Sequence, residues 1–155
     1  LLAGSLDERI DLVAPCQSGA GGAGSSRILG PGAESIGMND KPNWYHKRIL
    51  LFAGKEAHLP FDQHFLKALV APRALLCLES SDDLFANPVG TQATSEAAMP
   101  AFQLYGRKHA NGLVYRRGDI PMQPRTGNRF LLLQSSSSTR EILPGTPASG
   151  RNLTP

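Results

Sequence analysis

The sequence predicts an α/β chain with a mostly parallel sheet. Two short apolar runs, at 10–15 and 74–78, have the length and composition of strands. Helical stretches separate them, as crossover connections between parallel strands require. The 155 residues suit one ordinary domain. With 41% hydrophobic and 19% charged residues, 16 Gly and 12 Pro, the chain is not a collagen, a coiled coil or wholly disordered. No apolar run approaches the roughly 20 residues of a bilayer span, so no membrane partner is expected.

The elements follow in order. The opening residues LLAGSLDERI read as the end of a helix running through Asp7-Glu8-Arg9 into a strand. A chain that opens inside an element reads as a fragment, and no signal peptide is visible. From 17 to 42 the chain is rich in Gly and Ser and must be a long excursion, a kind of segment that often carries function. FLKALV at 65–70 reads as a short helix stopped at Pro72. From 90 to 105, Ala93, Ala97, Ala98, Phe102 and Leu104 have helical spacing, with Pro100 as a kink or break. A further short strand is expected at 113–115. After Arg117 the composition changes: 18 of the 38 residues from Gly118 to Pro155 are Gly, Pro, Ser or Thr. The division expected is therefore 1–117 as the folded part and 118–155 as a poorly ordered tail.

The charge of +3 and pI near 9.1 invite an anionic partner. The tail holds four Arg against one Asp and one Glu, a net +2, so 1–117 is close to neutral. The nucleic-acid reading loses its support on that count. Cys16 and Cys77 lie in apolar runs and read as small buried hydrophobes. No Cys-x-x-Cys is present, and His46, His58, His64 and His109 lack metal-ligand spacing, so no metal and no cofactor are expected.

Gly19-Ala20-Gly21-Gly22-Ala23-Gly24 spells G-x-G-x-x-G after a strand. SSRILGPG follows, and its Gly and Pro argue against the helix that a dinucleotide site needs. A loop that lets backbone approach something closely is the better reading. The strand ALLCLES ends in Asp82-Asp83, where a catalytic triad could place its acid. A solvated Asp-Asp turn reads equally well. Trp44, in KPNWYH, stacks on a sugar or closes the core.

Together, SGAGGAGSSR at 18–27, KPNWYH at 41–46, LPFDQHFLKALVAPRALLCLES at 59–80 and DDLFANPVGTQATSEAA at 82–98 resemble the C-terminal half of a glucuronoyl esterase, bacterial type. That is carbohydrate esterase family 15, and the resemblance covers about 1–117. It implies an incomplete α/β-hydrolase fold, a Ser-His-acid triad and no metal. It also implies, as substrate, an ester between glucuronic or 4-O-methylglucuronic acid on xylan and a lignin alcohol. The family is often secreted or periplasmic.

Three departures stand out. The family's nucleophile elbow, Gly-Cys-Ser-Arg-x-Gly-Lys, is expected just before LLAGSLDERI and is absent. Fungal members carry a Glu directly before the Ser-Gly of the Gly-rich loop, where this chain has Gln17. Many bacterial members place the acid before a Leu-Trp after the later strand, which here is Asp83 before Leu84-Phe85. The resemblance thus implies Asp83 as the triad acid, with Asp82 second. The family's His follows Tyr/Phe-Arg-x-Gly-Gly. Here Tyr115-Arg116-Arg117-Gly118 is followed by Asp119-Ile120-Pro121, and no His comes later. One base restored before the Asp119 codon allows Gly-Gly-His, so the residues from about Asp119 read as frame-shifted.

Glu34, Trp44 and Phe85 are the candidates for holding the sugar. Arg27 is expected to anchor the Gly-rich loop, and Asp62, His64 and Arg73 to form a structural polar network. The chain as given is expected to be inactive. A non-catalytic carbohydrate-binding remnant using Glu34, Trp44 and Phe85 is the rival reading, and the oligomeric state is left open.

Overall fold

Strand alternation sets the architecture. The computed structural model describes residues 1–38 and 45–118, with the backbone of two short strands near the C-terminus. The central strand β2 (Ala74–Ser80) buries Leu75, Cys77 and Glu79 on one face, following the period of two. It pairs in parallel with β1 (Leu12–Val13) through Leu12↔Ala74 and Val13↔Leu75. On its other side it pairs in parallel with β3 (Asn111–Arg116), from Leu75↔Asn111 to Ser80↔Arg116. Two antiparallel strands, β4 (Leu131–Leu133) and β5 (Arg140–Glu141), complete the order β1-β2-β3-β4-β5.

The parallel α/β expectation therefore holds. The first strand is shorter than the apolar run at 10–15, and the second and third are longer than expected. Of the expected tail, β4 and β5 are described by backbone alone; Asp119 and the shifted-frame reading lie outside the described residues.

Among the described residues, α2 (Gln63–Ala68) and α3 (Pro88–Leu104) lie in the crossovers between parallel strands, and α1 (Leu2–Leu6) precedes β1. Asp62 caps α2 by accepting from the Gln63 amide at 2.8 Å. Helix α3 runs through Pro100 without a break. Its buried stripe is Thr91, Thr94, Ser95, Ala98, Met99 and Phe102, the spacing of one helix face. The stripe is polar in its first half and apolar in its second. The apolar half joins Val13, Val70, Leu75, Cys77 and Leu113 in the core. Cys77 is buried as expected. Cys16 is exposed, contrary to the buried reading, although its backbone still bridges to Leu78 beyond the end of β1.

From 17 to 38 the chain holds no α-helix or strand, only one turn of 3-10 helix (Ile36–Met38). Side chains from elsewhere hold this excursion. Asp62 accepts from Ser25 Oγ at 2.5 Å and from the amides of Ser26 and Arg27 at 2.9 and 3.3 Å. Burial alone would raise the Asp62 carboxyl, yet these hydrogen bonds outweigh it and hold the group below its ordinary range. Arg27 donates to the Leu59 carbonyl, in the anchoring role expected of it. Arg73 donates to the carbonyls of Gly4, Asp7 and Ile10 and ties α1 to the sheet. His64 only stacks on Phe65, with ring centroids 4.3 Å apart.

Asn87 does most to join the excursion to α3. Its backbone is left-handed (φ 57°), and its buried amide donates to the carbonyls of Ser25 and Ile28 at 2.9 Å. Its Oδ1 accepts from the amides of Gly90 and Gly30 at 3.0 and 3.1 Å. Asn87→Ala removes the cap, orphans buried carbonyls and puts a Cβ residue at positive φ. The expected loss is about 2 kcal/mol, read from the urea midpoint at constant m-value.

Candidate active site

The ends of β1, β2 and β3 form the C-terminal edge of the parallel sheet, the place where open α/β sheets bind ligands. Gln17 follows β1, Asp82 and Asp83 follow β2, and Arg116 ends β3. The backbone of Gln17 is left-handed (φ 41°), yet its N–H still donates to the Leu78 carbonyl at 2.9 Å. The parallel pairing thus extends to Gln17, and there the chain turns out into the Gly-rich loop.

Asp83 is 8% exposed. Its Oδ2 accepts from Gln17 Nε2 at 2.8 Å, and its Oδ1 accepts from the Ala86 amide at 3.2 Å. Gln17 Oε1 in turn accepts from Arg116 Nη2 at 2.5 Å. One side chain thereby links the ends of all three strands.

Asp82 is exposed and has a different task. Its Oδ2 accepts from the Gly118 amide at 2.7 Å, and its Oδ1 from Ser81 Oγ at 3.0 Å. The Gly118 amide, with help from Ser81, holds its carboxyl below the ordinary range. Ser80 Oγ donates to the Gly118 carbonyl. Asp82 and Ser80 therefore fix the backbone just past β3. The equivocal Asp-Asp turn of the sequence resolves into one buried and one exposed carboxylate.

Glu34 is buried. Its Oε1 accepts from the Ala20 amide at 2.9 Å, and its own N–H donates to the Phe85 carbonyl at 3.0 Å. Gly19 makes this possible: it sits at φ 67°, and a Cβ there would lie 1.9 Å from Glu34 Oε1. The Gly-rich loop is a tight turn, with the amides of Gly22 and Gly24 both donating to the Gly19 carbonyl. No helix follows it, so it is not a dinucleotide fingerprint. Phe85 is 56% exposed beside this turn. Tyr45 packs nearby, its hydroxyl pushed up by burial and by the Glu34 charge. The fold thus gathers Gln17, Glu34, Asp83 and Phe85 at one edge, with Asp82 on the rim. Trp44 lies outside the described residues.

His109 is at the wrong end of the sheet. It sits in a 3-10 turn (Lys108–Ala110) just before β3, about 20 Å of strand from the edge where Asp83 lies.

The sequence reading passed over a buried polar cluster beneath this edge. Lys67, 0% exposed, donates to the Thr91 carbonyl at 2.9 Å and to Thr94 Oγ1 and Ser95 Oγ at 2.8 Å. Thr91 Oγ1 donates to Glu79 Oε1 at 3.0 Å, while Glu79 Oε2 is buried without a hydrogen-bond partner. The signals were there: a Lys inside the apolar FLKALV, and a Glu on the Leu75-Cys77 face of β2.

Burial pushes the Glu79 carboxyl up to about 7; Thr91 and Lys67 hold it down in part, and Asp83 adds to the rise. The native state therefore keeps a proton that the unfolded chain, with an ordinary value of 4.5, has released. Stability is fully present below pH 4.5 and falls as pH rises through about 7, by on the order of 3 kcal/mol. Urea midpoints at pH 4.5 and 7.5 should differ accordingly, and Glu79→Gln should flatten the difference.

A parallel sheet with helices in its crossovers is the architecture of an α/β chain, and its structural neighbours are α/β-hydrolase-like. The chain belongs to the glucuronoyl esterase family, carbohydrate esterase family 15: the family model for fungal glucuronyl esterases matches residues 1–106. A 4-O-methyl-glucuronoyl methylesterase of Cerrena unicolor is 29% identical over 157 residues, covering 89% of this chain and 32% of its own length. A promiscuous esterase of the family from a marine bacterial metagenome superimposes with a TM-score of 0.72 at 29% identity, over 80% of this chain and 35% of that one. A glucuronoyl esterase of Sporotrichum thermophile, solved in complex with methyl 4-O-methyl-beta-D-glucopyranuronate, gives 0.67 at 28% identity, over 77% and 35%. This chain spans about a third of the length of each.

Proposed function

We propose that this chain is the acid-bearing segment of a serine carboxylic-ester hydrolase that cleaves glucuronoyl or 4-O-methylglucuronoyl esters between xylan and lignin. The observation that carries the reading is Asp83: a carboxylate buried at the C-terminal sheet edge, with one hydrogen bond fixed on each oxygen. Each oxygen keeps a second lone pair, enough to accept the Nδ1–H of an imidazole. In such a triad the His takes the serine proton as the hydroxyl attacks the ester. The acid holds the imidazole in the right tautomer and stabilises the imidazolium that forms. Phe85 offers an apolar face to the uronic acid ring, and Glu34 one carboxylate oxygen to a sugar hydroxyl.

The 155-residue sequence carries neither the Gly-Cys-Ser-Arg-x-Gly-Lys elbow nor a Gly-Gly-His. The chain alone therefore turns nothing over; the activity is that of a full-length protein containing it. The exposed ring of Phe85 keeps a second reading in play, a sugar-binding face without chemistry. Incubating the full-length protein with methyl glucuronate separates the two. Released methanol supports the esterase, and saturable binding without methanol supports the binding remnant.

A further inference from the structure

We propose that Gln17 is a positioning residue, whose side-chain amide holds Asp83 in its catalytic orientation by relaying the grip of Arg116. The inference rests on the assignment of Asp83 as the triad acid. Arg116 can only donate and an ionised Asp83 can only accept. The amide between them is therefore locked one way round, its Oε1 on Arg116 Nη2 at 2.5 Å and its Nε2 on Asp83 Oδ2 at 2.8 Å. Turning it over would set NH2 against guanidinium and oxygen against carboxylate. The guanidinium polarises the amide and strengthens the N–H that Asp83 receives.

The anchors at both ends are stiff. Arg116 is buried in β3, and its Nη1 donates to the Gly118 carbonyl at 3.0 Å. Gln17 adopts a positive φ that ordinary side chains rarely take, and in that conformation its amide meets both partners. With Oδ2 held by Gln17 and Oδ1 by the Ala86 amide, the carboxylate plane of Asp83 cannot rotate freely. A carboxylate at position 17 could keep Arg116 but would repel Asp83 across the same gap. The neutral amide is the group that satisfies both.

Two arms test this. In the 155-residue chain, the side-chain amide signals of Gln17 are assigned by their loss in Gln17→Leu. Both Asp83→Asn and Arg116→Met should shift that amide pair; a pair that stays put in either variant overturns the relay. In the full-length esterase, Gln17→Leu should lower kcat at least about tenfold with KM within about twofold. In an Asp83→Ala background the same substitution should cost nothing further, because its effect passes through Asp83. An additive loss, or full activity in Gln17→Leu while Asp83→Ala is dead, overturns the role of Gln17 alone. Full activity in Asp83→Ala overturns the assignment of Asp83 itself.

Discussion

Asp83→Ala in the full-length protein should lower kcat on a methyl glucuronate ester by about 10,000-fold, the scale on which a triad loses rate when its acid no longer holds the imidazole. Asp82→Ala should leave the rate nearly unchanged. The two residues are adjacent in sequence and opposite in setting. Asp83 is buried, and both its oxygens are oriented by donors from two different segments. Asp82 is exposed, and both its oxygens serve the local turn, through Gly118 and Ser81. A carboxylate spent on its own turn in water has little left with which to stabilise an imidazolium. Initial rates of the two variants at saturating ester give the comparison. Equal losses would mean that the pair acts as one charged rim rather than as one acid and one brace.

Lys67→Met should destabilise the fold by about 3 kcal/mol, the scale of leaving buried acceptors without their donor. Burial pushes the Lys67 ammonium down, while Cys77 and Glu79 pull it back. All three of its donors are matched, by the Thr91 carbonyl and the hydroxyls of Thr94 and Ser95. Methionine fills the same channel but leaves these acceptors and the Glu79 carboxyl without a cation. The double variant Lys67→Met with Glu79→Leu should recover part of the loss, since it removes a buried carboxyl that is partly ionised at pH 7 and has lost its nearby cation. Urea denaturation at pH 7 measures both. A single-variant loss below about 1 kcal/mol would show that the hydroxyls satisfy one another without the ammonium.

The strands were legible because their apolar runs are short, β-branched or leucine-rich, and bounded by turn residues. The C-terminal edge followed from their parallel order. Asp82 and Asp83 were equally legible as candidates, but one sequence position cannot tell a buried acid from an exposed one. That difference comes from Gln17 and Ala86, which reach Asp83 from 66 residues upstream and from three residues downstream. Gln17 was set aside in sequence as a residue without charge. Its value lies in that neutrality, which appears only once Arg116 and Asp83 are placed on either side of it. Glu34 was legible as a candidate for holding the sugar, but not as the partner of the Ala20 amide, because the need for an acceptor there has no sequence signature. Lys67 and Glu79 sit inside apolar runs and were not singled out from the sequence. Their meeting in one buried cluster, through Thr91, depends on how α2 and α3 stack over β2, which no local pattern encodes.

The most direct test of the account is the crystal structure of the full-length protein, read at the triad. The account predicts a histidine Nδ1 about 2.8 Å from the Asp83 carboxylate, with Gln17 still bound to its Oδ2. An imidazole paired instead with Asp82, Glu34 or a carboxylate outside this segment would contradict it.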